Sequence, residues 1–433
     1  MTLRQQVQKI ISDNEFLCTY SKYIEHTEAP LLMHIWSAIG ITAAAMGRHV
    51  HYPFALGDIY ANQYIILVGN PATRKSSAIK LASKLLENVT DVVYAPDDTG
   101  GERQGLLMAM ANEHPHKNKE AELIMEGLDS GAFGMEGVQT EKGLMSVANK
   151  QLDKHSRFAQ ALEFGSFVGE RNTKMTRFLI RVWDGDPYDY TLKKETHWLK
   201  NSLLNIVGAS TTEDIAKCIP IEASGQGFLS RIIFVHAANK EKDLTPRETK
   251  LCSVAATKLQ TTLAWINHTM SGAIIPTAAA EDFVDEIYRN KVVFADSRFT
   301  YYIERRFTHV IKLAMTLAAM RRSLILERKD FVLADNLLRL TEIHMPDALG
   351  EYGMSKLGAA KQQLLEFLIA QGCAVSMTVV GQILSRDLDP RSVNLAIQEL
   401  QASNKIICTD MQGGVFLTAV QESTAHALQY AAN

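Results

Sequence analysis

Cysteine is sparse and unclustered in this chain. Cys18, Cys218, Cys252, Cys373 and Cys408 stand far apart, with no Cys-x-x-Cys and no Cys/His group. That excludes the usual zinc-site spacings. A strong charge of one sign is also lacking. Lys and Arg number 45 against 48 Asp and Glu, a formal net charge of -3. Overall charge therefore offers nucleic acid no attraction, and any basic surface must be local. A membrane-length apolar run is missing too. The most apolar stretch, Ala29 to Gly47, is interrupted by His34, Ser37 and Thr42, as in a buried helix rather than a membrane span. Scattered cysteine and no signal-like segment predict a reducing, cytoplasmic setting without a membrane partner.

What is present is ordinary globular material. Hydrophobic residues make up 46% and charged residues 21% of 433 positions, enough for two or three domains with sizeable cores. One stretch organises the rest. Tyr64 to Val68 is an apolar run bounded by Gly69, which predicts a strand buried on both faces. Ser76 to Leu86 carries Ile79, Ala82, Leu85 and Leu86 at helical spacing,. Between them run Gly69, Asn70, Pro71, Ala72, Thr73, Arg74, Lys75 and Ser76, followed by Ser77. Strand, tight loop and a helix opening on Lys-Ser are the layout of a phosphate-binding P-loop. Backbone N–H groups there present partial positive charge to phosphate oxygens. Lys75 is expected to reach the β- and γ-phosphates of ATP, and the Ser76 hydroxyl to ligate Mg²⁺. Arg74 occupies the position where the motif usually has Gly, a residue favoured where φ is positive.

Before this stretch, Gln5–Ile11, Phe16–Ile24 and Pro30–Met46 carry helix-period apolar residues, and His49–Tyr52 reads as a short strand,. After it, Asp91–Ala95 predicts a second strand and Glu102–Asn112 a helix. His114–Glu120 is a basic loop, and the Gly-rich residues 124–143 predict a flexible insertion, either solvated or touching nucleic acid. Phe158–Val168 is the candidate third strand with its carboxyl edge. An ATPase needs a carboxylate at that edge to activate water. Glu163 is the candidate, although Leu162 stands where an Asp is usual; Asp184 and Asp186 are rivals in a segment that reads as a turn. Tyr188–Trp198 alternates around Lys193, Lys194 and Glu195, a hairpin with a charged tip that is either solvated or a DNA contact. Leu203–Ser210 is a buried strand. Ser210 or Thr211 at its end could touch the γ-phosphate, and Thr212 could equally cap the following helix. Ile232–His236 is a fifth strand, with Arg231 expected at its entrance rather than inside the core.

From Thr245 no further strands are expected before the C-terminal module. Thr249–Thr269, Ala278–Asn290, Arg305–Arg322 and Asp330–His344 read as amphipathic helices, the third opening on Arg305,. Residues 357–418 read as a separate module. It has three helices, ending in Val393–Ser403, then a hairpin of Lys405–Asp410 and Gly414–Thr418. That is a winged helix-turn-helix. Arg391, Ser392 and Asn394 lie where base-edge contacts are made in such modules, and a protein partner is the alternative.

Taken in order, Gly69 with Lys75-Ser76, Glu163, Ser210-Thr211, Gly227-Phe-Leu-Ser-Arg231, Arg305, Ile311-Lys-Leu-Ala314 and the terminal module resemble a AAA+ ATPase. The likeness is to the phage and prophage replication type, related to superfamily 3 and minichromosome-maintenance helicases. It covers about residues 20 to 418, and its order carries more weight than any one motif. It implies an α/β AAA+ P-loop NTPase core over 61–240. Around it come a helical N-terminal collar (1–60), a helical lid (241–350), a C-terminal winged helix (355–420) and a tail (421–433). It implies ATP and Mg²⁺ as cofactors, with Glu163 activating water, Arg231 acting in trans and Arg305 acting from the lid. Lys193 and Lys194 would touch single-stranded DNA within a homo-oligomer, expected as a hexamer with replication partners. The expected activity is a DNA helicase or translocase. The alternative is a nucleotide-gated initiator or helicase loader, and a third reading is a scaffold with a decayed P-loop. Arg74 and Leu162 depart from the family pattern.

Overall fold

The structure, a computed structural model, describes residues 1–350 except 56, 88–89, 98, 100–105, 107–109, 111–154, 193–194, 200, 221–226, 293 and 295. Beyond 350 it describes 352, 361, 364–365, 367–369, 371–384, 390–402, 405–411 and 414–419. The expected basic loop, the Gly-rich insertion, most of the helix at 102–112 and the tail lie outside the described residues. The chain divides into two compact units, Met1–Gly350 and Glu351–Asn433.

The first unit opens with three helices, α1 (Leu3–Ile11), α2 (Glu15–Tyr23) and α3 (Leu31–Met46). Thr2 and Gln5 form a reciprocal capping box on α1, and Asn14 caps α2 through the Leu17 N–H,. Every residue of α3 is buried, which explains its apolar composition without a membrane. Its Gly40 lies against the sheet so closely that a Cβ there would come within 2.3 Å of Val207. Among the described residues no helix is long and apolar enough to cross a membrane.

A hairpin follows, β1 (Val50–Tyr52) and β2 (Ile59–Tyr60), then β3 (Tyr64–Val68) and α4 (Lys75–Ser83). Further on come β4 (Ser156–Ala161), α5 (Phe164–Val168) and α6 (Thr173–Asp184). The antiparallel pair β5 (Tyr188–Leu192) and β6 (Glu195–Leu199) precedes β7 (Leu203–Ser210), α7 (Thr212–Cys218) and β8 (Ile232–His236). Strands β4, β7, β3 and β8 form one sheet in that order, and every pairing is parallel. Ile65 and Leu67 face the core shared with α3, while the Tyr64 hydroxyl donates to the Leu179 carbonyl of α6 at 2.8 Å. Helices therefore cover both faces, and β3 and β7 are buried throughout, as near-continuous apolar runs require,.

Several expectations are corrected. Asp91–Ala95 is not a strand. Tyr94 makes a single parallel bridge to Phe158 at the sheet edge. Residues 164–168 are helix rather than strand, because the chain turns away from the sheet at Leu162. Strand pairing also does not stop at Thr245. Gly272–Ala273 pairs parallel with β1, and Ile275–Pro276 with Ile325–Leu326. Two-residue strands of this kind leave no readable alternation. The later helices are α8 (Ser253–His268), α9 (Ala278–Arg289), α10 (Thr300–Met320), α11 (Arg328–Glu342) and α12 (Met345–Leu349). Helix α10 thus begins before Arg305. Trp36 of α3 donates to Thr341 of α11 at 2.8 Å, so the N-terminal and later helices share one core.

The second unit holds α13 (Met377–Leu384) and α14 (Pro390–Ala402) with a three-stranded antiparallel sheet. Ile406–Met411 and Gly414–Ala419 form the expected hairpin, and Val375–Ser376 adds a third strand. Leu364, Leu368, Val380, Ile397 and Leu417 lie in its core.

Candidate phosphate-loop site

Between β3 and α4 the chain makes a tight loop at the carboxyl edge of the parallel sheet. Gly69 leaves β3 so close to the next strand's continuation that a Cβ would meet the Ala237 carbonyl at 2.1 Å. Only glycine fits there. Thr73 is buried and its hydroxyl donates to the Asn70 carbonyl at 2.6 Å, tightening the turn. Ala72 and Arg74 both take a φ of 67°. Arg74 therefore occupies the left-handed conformation that explains the usual Gly at this position, and it is the N-cap of α4. The Lys75 ammonium donates to the carbonyls of Gly69 and Asn70 at 2.7 and 2.8 Å. Burial lowers its pKa, with Glu213 opposing the shift. Ser76 is half-buried in the first turn of α4, while Asn70, Pro71, Ala72 and Ser77 are exposed.

Other residues converge on the same edge because the strands are parallel and in register. Val68 lies beside Ser210 on one side and beside His236 on the other. The Ser210 hydroxyl donates to the Asp214 carboxylate at 2.6 Å. Asp214 also accepts from the Gly165 N–H at 3.2 Å. Glu163 is exposed and extended, as the N-cap residue of α5, two positions past the end of β4. Asp214 thus ties the end of β7 to the turn that follows Glu163. A Cβ on Gly165 would come within 2.2 Å of that carboxylate. Thr211, not Thr212, caps α7, accepting from the Asp214 N–H. Its hydroxyl is thus engaged in capping. His236 and His344 approach Asp347 at 3.8 and 3.3 Å. Burial lowers the His236 pKa, with Asp347 opposing and His344 and Lys75 adding to the shift.

The two arginines lie elsewhere. Arg231 precedes β8, whose first residue Ile232 pairs with Tyr64. It is therefore at the amino edge of the sheet, the length of β3 away from the loop, about 13 Å. It stands at the entrance of β8, as expected, but inside the core rather than outside it. It is 4% exposed, donates to the Gly227 carbonyl at 2.7 Å and pairs with Asp184 at 2.5 Å. Arg305 meets the same carboxylate at 3.2 Å. Arg305, expected to act from the lid, therefore lies beside Asp184 and Arg231 and not beside the loop of its own chain. Its neighbour Arg306 turns the other way, into a buried pair with Glu342 at 2.6 Å. Arg231, Arg305 and Lys312 surround the Trp183 ring at 5.4, 5.5 and 4.2 Å from its centroid,. Lys312 donates to the Tyr60 carbonyl at 2.8 Å and to Asn62 at 2.6 Å. Burial pushes His309 down to about 3, so its neutral ring donates Nε2–H to the Ser230 carbonyl at 2.8 Å.

Lys193 and Lys194 lie outside the described residues, between the paired Leu192 and Glu195. Arg391 is in the first turn of α14, and its side chain lies outside the description. Asp184, a sequence-level rival for the catalytic carboxylate, is at the wrong edge for its own loop. Sequence spacing does not point to Asp214, Glu28 or Lys312, because Gly165, Arg74 and Asn62, which they meet, are distant in sequence. Asp214 had one available signal, its place four residues after Ser210 at a strand-to-helix turn. Among the described residues no group of three or more His, Cys, Asp or Glu could hold a metal. Neither protein-family models nor curated proteins yield a match to the chain.

Proposed function

We propose that the chain is an ATP-driven, ring-forming DNA helicase or translocase of the AAA+ type, acting in phage or prophage replication. One observation carries the reading. A glycine-led loop with Lys75 folded into it stands at the carboxyl edge of a buried parallel sheet, with Ser210 and Glu163 on the same edge. Ligands of open parallel sheets bind at such edges. In this reading Lys75 exchanges the Gly69 and Asn70 carbonyls for the β- and γ-phosphates of ATP. Ser76 holds Mg²⁺, Ser210 orients the γ-phosphate or the water, and Glu163 activates that water. Arg231 and Arg305 lie a strand's length from their own loop. In this reading Arg231 leaves its Asp184 pair to serve a neighbouring subunit's nucleotide in a ring, proposed as a hexamer, and Arg305 acts from the lid. Nucleotide cycling would carry Lys193 and Lys194 along single-stranded DNA through phosphate contacts. The second unit would act as a winged helix, with Arg391 turned to DNA or a replication partner.

ATP hydrolysis by the purified protein tests this, with and without single-stranded DNA and against Lys75→Ala. The expected result is hydrolysis that DNA stimulates and the variant lacks. Nucleotide binding without hydrolysis would favour the initiator or loader. No nucleotide binding would sink both.

A further inference from the structure

Arg74 is an anomaly that the phosphate-loop reading leaves unexplained. Its backbone is left-handed, with φ 67° and ψ 23°, and no side-chain hydrogen bond caps α4 there. Glycine takes this conformation freely, whereas a residue with a Cβ is disfavoured in it. Such strain persists only where the surroundings enforce it. The enforcing partner is visible. The Arg74 Nε donates to Glu28 Oε2 at 2.6 Å, drawing the guanidinium away from the loop and onto the segment joining α2 to α3.

Glu28 is itself firmly held. Its carboxylate accepts from Lys240 at 2.9 Å and from the Leu244 N–H at 3.3 Å. Its backbone carbonyl accepts from the Glu241 and Lys242 N–H groups at 2.9 and 3.4 Å. Glu241 in turn accepts from the first N–H of α3 at 2.6 Å. Glu28 therefore joins three parts of the chain: the N-terminal helices, the segment after β8, and the loop residue just before Lys75. Hydrogen bonding from Lys240 first, then from Leu244 and Arg74, holds its carboxyl at about 2.

We propose that Glu28 is a positioning residue for the phosphate loop. By holding Arg74 outward it does for this chain what a glycine does in the usual motif. It sustains the left-handed turn that aims the first amides of α4, and it keeps a bulky cation off the phosphate position. The proposal rests on the nucleotide-binding reading of the same loop. It makes the motif's missing glycine a two-residue device, in which Arg74 needs Glu28 and glycine would not.

The test is a double-mutant cycle on MgADP binding, read by calorimetry, with Glu28→Gln, Arg74→Gly and the pair. Glu28→Gln is expected to weaken binding about tenfold. Arg74→Gly should bind at least as tightly as the parent, and adding it to Glu28→Gln should restore affinity to within about twofold of Arg74→Gly alone. Lys240 pairs with Asp243 at 2.5 Å as well as with Glu28, and Arg74→Gly touches neither contact, so rescue isolates the Arg74 arm. The idea is overturned if Arg74→Gly weakens binding as much as Glu28→Gln, because Arg74 would then act on the phosphate directly. An unrescued double variant, or no loss in Glu28→Gln, overturns it as well. Melting temperature provides a readout independent of nucleotide. Glu28→Gln should lower it, and Arg74→Gly should cancel the part of the drop that comes from the Arg74 pair, leaving the part that comes from Lys240 and Leu244. If the parent binds no nucleotide while this cancellation holds, the nucleotide reading fails and the loop device stands. If the cancellation fails too, both fall.

Discussion

Arg231 and Arg305 each take one oxygen of the Asp184 carboxylate, at 2.5 and 3.2 Å. One precedes the last strand of the sheet and the other lies in a later helix, so the pairing locks two distant segments together. Lys312 lies beside them over the Trp183 ring, 4.2 Å from its centroid, and donates to the Tyr60 carbonyl and to Asn62 rather than to Asp184.

Arg231→Ala should reduce ATP hydrolysis about a thousandfold or more, the order seen when a transition-state arginine is lost, while leaving ATP binding near the parent value. Mixing this variant with Lys75→Ala subunits should recover part of the activity, since intact loops then meet intact arginines. Steady-state rates of the mixture against each variant alone provide the measurement. A mixture no more active than its components would confine Arg231 to its own chain.

Asp214 accepts from both Ser210 and the Gly165 N–H, so its loss should loosen the turn that carries Glu163. A misplacement of about 1 Å can cost about a hundredfold in rate. Asp214→Ala is expected to lower kcat by roughly that factor with little change in KM for ATP. Combined with Glu163→Gln it should add almost nothing, because both act through one carboxylate. A raised KM with unchanged kcat would assign Asp214 to nucleotide binding instead.

Burial pushes the Lys312 ammonium from 10.5 down to about 7, with Asp184 opposing and Arg231 and Arg305 adding to the shift. Between those values the unfolded chain holds more protons than the folded one. Stability should therefore rise with pH from about 7 upward, and the cost of charging Lys312 is fully present below about 7. The gain is at most about 1.4 kcal/mol per pH unit. Urea unfolding at about pH 7 and about pH 9 should show this rise in the parent and a smaller one in Lys312→Met. Equal slopes would mean that Lys312 stays charged in the fold.

Much of the sheet was legible in advance. β3 and β8 read as uninterrupted apolar runs closed by Gly69 and His236, and β7 as a largely apolar run broken at Asn205 and Gly208; that pattern is local. At Arg74 the motif's usual Gly points to a positive φ, but an Arg there leaves a different loop path equally open; only the fold shows that the turn stays left-handed and that Glu28 holds the side chain. The paired strands Tyr188–Leu192 and Glu195–Leu199 followed from alternation alone. Glu163 follows a strand edge as its sequence context suggests, but the strand ends at Ala161 and the apolar residues beyond Glu163 are helical. Phe164, Phe167 and Val168 are as apolar as a strand and turn out to pack as a helix. Short apolar runs do not distinguish the two.

Local pattern alone suffices for β3 and β8, for the loop between β3 and α4, and for the apolar helix Leu31–Met46. Each depends on neighbours a few residues away, through side-chain spacing and backbone preference. It takes the folded chain to show that Arg231 and Arg305 share Asp184, that Asp214 anchors the turn after Glu163, and that Glu28 holds Arg74. Those contacts depend on which parallel strands lie side by side and on which sheet edge each loop leaves. A charged side chain's spacing along the chain carries no record of the partner that burial will bring to it.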